Sequence, residues 1–139
     1  MSWIAITEED LLTRMSGSEL EAFRAAGLTE GQGDPIATII LAVVEEIRGY
    51  IAAGGYTLGL PETIPVRLAS AALDRIVWEV MKRPGATIMD TNDARKEANE
   101  AALRLFREVA AGRFAIEDPA TGETNRPSAA WGSEERLAL

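Results

Sequence analysis

Apolar positions along the chain recur every three or four residues in three long stretches, and that spacing predicts helices. Ile36, Ile39, Ile40, Val43, Val44, Ile47 and Ile51 trace one face of a helix that Asp34-Pro35 opens and Gly54-Gly55 ends. The stretch is rich in β-branched residues, but its length and its period of about 3.6 argue against a strand. Leu68, Ala69, Ala72, Ile76 and Val80, with Leu73 and Val77 beside them, predict a second helix opened by Pro65 and stopped at Pro84-Gly85. Arg67, Asp74, Arg75 and Glu79 take its other side. Ala94, Ala98, Ala101, Leu105 and Val109, flanked by Ala102 and Phe106, predict a third helix from Thr91 or Asn92 to Gly112, with Glu100 and Arg104 spaced for an i, i+4 pair.

Two shorter helices precede these. Thr7 is placed to cap EEDLLTRM, and Ser18-Glu19-Leu20-Glu21 matches a capping box for a helix that Gly27 terminates. Both are too short to persist alone and must dock on the main body. Between the first two long helices, Tyr56 to Thr63 cross a corner, and the loop before the third long helix carries Ile88 and Met89 as a small lid over the core. Arg113 to Ile116 form a short extended segment, after which prolines, glycines and hydroxyls replace any sustained apolar period. The expected architecture is all-α, a small bundle of two short and three longer helices. Residues 1–116 form the domain and 117–139 a flexible C-terminal tail.

Composition narrows the chemistry. A chain of 139 residues fits one domain with a sizeable core, and it has no cysteine and no histidine. That removes disulfides, thiolate ligands and the usual general base, leaving carboxylates, lysines, tyrosines and hydroxyls for any catalysis. A formal charge of −8 opposes unaided binding to nucleic acid or anionic lipid. The longest apolar run, Ile36 to Val44, is too short for a bilayer, and MSWIAITEEDLL lacks a basic start followed by an apolar core, so the cytoplasm is the expected compartment.

Candidate sites are few. The loop Thr29 to Asp34 lacks the alternating oxygen ligands and closing glutamate of a calcium loop, and Gly31-Gln32-Gly33 lacks the strand and third glycine of a dinucleotide fingerprint. Glu45 and Glu46 point about 100° apart on a helix, so a solvated face explains them better than a carboxylate pair shared with Glu79. Arg67 and Asp74, a heptad apart and near Trp78, fit either a plain surface or a polar seam against another subunit. Tyr50 and Tyr56 flank the glycine pair, where closing a helix corner is a commoner use than lining a pocket. Trp131 and Leu137-Ala138-Leu139 are apolar anchors in a polar segment, a composition that fits a partner-binding tail as well as it fits packing back onto the domain or simple disorder.

The corner carries a family resemblance. Gly49, Tyr50, Ile51, Tyr56, Leu58, Pro61, Pro65, Leu68 and Ala69, in GYIAAGGYTLGLPETIPVRLA, resemble the Mu-type head-to-tail connector proteins of tailed phages and prophages. ALRLFREVAAGRFAI is similar to that family's closing helix and short apolar segment, and TEEDLLTRMSGSELEAF to its opening. The Gly54-Gly55 pair departs from the family pattern, and the resemblance covers about Ile4 to Ile116. It implies a virion protein without catalytic residues or cofactors that forms a homo-oligomeric ring on the portal protein and offers a surface to a tail or tail-completion protein. It implies a virion location, with host cytoplasm during assembly. Two alternatives from other classes are a cytoplasmic helical adaptor that binds a partner protein and an enzyme using carboxylates alone.

Overall fold

The structure, a computed structural model, describes residues 2–27, 33–82 and 93–127. In chain order the described elements are β1 (Trp3–Ile4), α1 (Glu8–Leu11), α2 (Gly17–Gly27), α3 (Pro35–Ala53), β2 (Ile64–Pro65), a 3₁₀ turn (Val66–Leu68), α4 (Ala69–Met81), α5 (Asp93–Ala110), β3 (Ile116–Glu117) and β4 (Thr124–Asn125). The architecture is predominantly helical, but the expected all-α class needs correcting. Two small antiparallel ribbons, β1 with β2 and β3 with β4, lie beyond the helices. Two-residue strands carry no readable period of two, which is why the pattern of apolar positions does not reveal them.

The three long helices form the body. Helix α4 packs most extensively on α5, and α3 lies against both. Ile36, Ile47, Ile51, Leu68, Ile76, Val80, Met81 and Phe106 fill the space between them and are almost wholly excluded from solvent. Helices α3 and α4 bury the faces that their periodicity predicts. Helix α5 does not. Its buried positions are Asn99, Ala102, Phe106 and Val109, whereas Ala94 and Ala101 are exposed, so the true face is rotated from the alanine stripe toward the larger side chains. Glu100 and Arg104 sit on the exposed side without forming an ion pair.

A polar junction pins the three helices in register. Arg75 of α4 donates to Glu46 of α3 at 3.2 Å and to the buried Asn99 of α5 at 3.1 Å, and lies 2.8 Å from Glu79. Glu79 Oε2 also lies 3.0 Å from Lys82. Both contacts bring charges together without hydrogen-bond alignment, so Oε2 is a buried acceptor held by charge alone.

The short helices dock by a mixture of core side chains and ions. Helix α1 stops at Leu11 instead of running to Met15, because residues 12–14 continue as turns. The carboxylate of Asp10 accepts from the Thr7 N–H at 2.8 Å and from its hydroxyl at 3.1 Å. The cap of α2 is Ser16 rather than Ser18: its Oγ accepts from Glu19 N at 3.1 Å, two residues earlier than the expected box. The Glu19 carboxylate is thereby free for Arg95 of α5, at 2.6 and 3.0 Å, while Leu20 and Phe23 enter the core. Residues 29–32 of the expected loop Thr29 to Asp34, the helix stop at Pro84-Gly85, the Ile88-Met89 lid and the start of α5 at Thr91 or Asn92 lie outside the described residues.

Candidate functional site

The corner between α3 and α4 is built from three segments far apart in sequence. Helix α3 ends at a glycine for a steric reason: a Cβ on Gly54 would lie 2.2 Å from the carbonyl oxygen of Val109 and 2.7 Å from the Tyr56 ring. Gly55 follows with φ 88°, a backbone that glycine adopts without strain. This pair lets the end of α5 press directly on the end of α3. Tyr50 stacks on Phe106 across the same contact, with ring centroids 5.7 Å apart and planes at 25°. Tyr56 donates its hydroxyl to the Phe114 carbonyl, and burial pushes its phenol above the ordinary pKa.

Beyond Tyr56 the chain has no helix or sheet to satisfy its carbonyls, and Arg48 does so instead. From the last turns of α3 its guanidinium donates to Leu60 O at 2.8 Å, Thr63 O at 2.7 Å and Gly59 O at 3.2 Å, and lies 5.9 Å from the Trp3 ring centroid. Leu60 to Thr63 close a tight turn through Thr63 N to Leu60 O at 3.2 Å. Pro61 occupies its second position and Glu62, with φ 66°, its third, the pattern of a type II turn.

Trp3 joins this loop to the N-terminal strand and to the segment at Glu117. Gly59 packs so closely on its ring that a Cβ would come within 2.9 Å, and its indole N–H donates to Glu117 O at 2.7 Å. Val66 N donates to Ser2 O at 2.9 Å, extending the β1–β2 pairing. Arg67 donates from its backbone to the Glu117 carboxylate at 3.3 Å and from its side chain to Ala115 O at 3.1 Å, with the guanidinium 5.0 Å from the Phe114 ring centroid. Glu117 to Pro127, assigned to the tail from composition, thus belong to a hairpin placed against the corner. Asp118 shapes its bend by accepting from Ala120 N at 2.8 Å and Thr121 N at 3.1 Å.

What this end presents to solvent is apolar. Leu60 is 68 % exposed, Val66 42 % and Leu58 40 %, three of the five large apolar side chains that stand out from the described surface. Beside them lies a cleft of about 520 Å³ walled by Trp3, Leu58, Leu60, Pro61, Pro119 and Ala120. Ser2, Thr57 and Thr63 add hydroxyls, and no carboxylate, lysine or arginine lines it. Among the described residues no group of three or more carboxylates is arranged to hold a metal ion, and no helix is long and apolar enough to cross a membrane.

The residues singled out from sequence separate into three sets. Tyr50, Gly54, Gly55, Tyr56, Pro61 and the buried Pro65 do meet at the corner, while Gly49 faces open space on α3 and has no steric role there. Arg67 and Asp74 are both engaged within the chain, Arg67 at the hairpin and Asp74 with Arg14 at 3.1 Å, and Trp78 is half-buried on α4. Trp131, Leu137 and Leu139 lie outside the described residues. Of the acidic trio, Glu45 is exposed, whereas Glu46 and Glu79 converge on Arg75. Arg48 and Trp3 organise the corner and were not singled out. An arginine less than two turns before a helix-ending glycine pair is a usable sign, but its acceptors lie 11 to 15 residues further on.

The fold and this end together define a small helical protein whose corner is made rigid by an arginine clamp and closed by the N-terminal strand and the hairpin after α5. The chain belongs to the bacteriophage Mu Gp36 family, whose model matches residues 6–134. It is a phage-related protein. No curated protein and no solved structure matches it.

Proposed function

We propose that this chain is a head-to-tail connector subunit, which assembles as a homo-oligomeric ring on the portal protein and presents the next surface to a tail or tail-completion protein. It acts without catalysis or cofactor, in the virion and, during assembly, in the host cytoplasm. The observation that carries the reading is the corner: Leu58, Leu60 and Val66 project from a loop whose backbone is clamped by Arg48 and backed by Trp3. Exposed apolar side chains on a rigid mount favour docking, because little conformational entropy is lost when they are covered. Membership of a phage protein family supports a role in the particle. The net charge of −8 supports a protein that meets other proteins and is repelled by the DNA passing nearby.

Mixing the purified chain with the portal protein of the same phage tests this, with particle mass and negative-stain images as readouts. The expected result is a ring-sized complex. A chain that stays small in the presence of portal protein overturns the connector reading.

A further inference from the structure

The turn that carries Leu60 has a second side. There, a groove of about 310 Å³ runs between the segment after β1 and helix α3, with Ile6, Ala37, Ile40 and Leu41 in its floor and walls and the carboxyl residues Glu8 and Glu62 at its rim. Leu41 is 45 % exposed along it. Glu8 is already paired with Arg24 at 2.5 Å, but no described residue pairs with Glu62.

Glu62 is also the one non-glycine residue with a positive φ among the described residues, at 66°. Position three of such a turn favours glycine or asparagine, and a larger side chain there is held against a cost of about 1 kcal/mol or more. A strained, unpaired carboxylate beside an apolar groove is an outlier that packing does not explain.

We propose that this groove docks a segment of another protein that inserts two apolar side chains against Leu41 and sets a lysine or arginine against Glu62. Charge complementarity selects the occupant, since Glu8 is neutralised by Arg24 and Glu62 is the rim carboxylate that no described cation meets. A second copy of the described body is the weaker fit. Of its exposed large apolar residues, Leu12 and Val66 lie near arginines, but Arg14 is bound to Asp74 and Ser70, and Arg67 to Glu117 and Ala115. At Leu58 and Leu60, Arg48 is held by the loop carbonyls.

Panning a random-peptide library on the full-length chain tests the groove independently of any portal assembly. The enriched peptides are expected to share an apolar pair next to a lysine or arginine. Leu41→Asp should weaken the best of them by tenfold or more, and Glu62→Lys by about fivefold, the equivalent of about 1 kcal/mol for a half-exposed ion pair. Glu62→Lys should regain binding to the same peptide with its cation changed to glutamate. Both substituted side chains are at the surface, and unchanged thermal melts would certify the fold. The proposal fails if nothing is enriched, if the consensus carries no cation, if the two variants bind as the parent does, or if the peptide responds to Leu60→Asp instead.

Discussion

At the scale of single residues, two backbone positions at the corner behave in opposite ways. Gly54 has ordinary helical dihedrals, φ −80° and ψ −5°, so any side chain would satisfy its backbone. Only the Val109 carbonyl forbids one. Gly54→Ala should therefore destabilise by about 3 kcal/mol, the upper range for overpacking against atoms that cannot rotate away, and a urea titration would read the loss. Glu62 has space but an unfavourable φ, so Glu62→Gly should stabilise by about 0.5–1 kcal/mol after the added freedom of the unfolded chain is subtracted. A melting temperature that fell would show that the glutamate side chain supports the fold. The two glycines were legible in sequence as a helix stop; that one is demanded by a neighbour and the other by its dihedral was not.

At the scale of elements, the polar contacts decide how the short segments attach. Arg48→Met keeps the apolar stem and removes three charge-assisted bonds to the loop, with an expected cost of about 2–3 kcal/mol. Hydrogen exchange should locate the change at Thr63, whose amide closes the turn, before it reaches α3. Helix α2 is tied to α5 by the Glu19–Arg95 fork. The Arg95 hydrogen bond holds the Glu19 carboxyl below its ordinary pKa of 4.5. A carboxyl depressed in the folded state contributes stability above its unfolded pKa and loses it as pH falls through the folded one. The acid limb of the stability profile should thus steepen below about pH 4.5, and Glu19→Gln should flatten it in thermal melts recorded across that range. The helix that starts here was visible from its Ser-x-x-Glu spacing, but the register was off because two overlapping serine signals, Ser16 and Ser18, precede the same apolar run.

At the scale of the whole molecule, the N-terminal strand, the corner and the hairpin after α5 gather at one end of the helical body, and the most exposed leucine among the described residues stands there. Stability and docking are separable at that end, because Leu60 is largely outside the core while Trp3 and Ile64 are within it. Leu60→Asp should leave the melting temperature within the small range typical of surface changes and abolish assembly with portal protein, as sedimentation would reveal. An unchanged complex would place the portal contact elsewhere.

The sequence by itself determined the three long helices, most of their core faces, the corner with its glycine and proline punctuation, and the phage family to which the chain belongs. These depend on local spacing and on turn residues, which are written along the chain. Tertiary structure decided which face of α5 is buried, that Arg48 feeds the loop's carbonyls, that Glu46 and Glu79 share Arg75 with Asn99, and that Glu117 to Pro127 join the body. Apart from the Arg75–Glu79 pair, neighbours on one helix, the contacts behind these join residues separated by 11 to 114 positions, where the partner is chosen by proximity in space and leaves no period in the sequence.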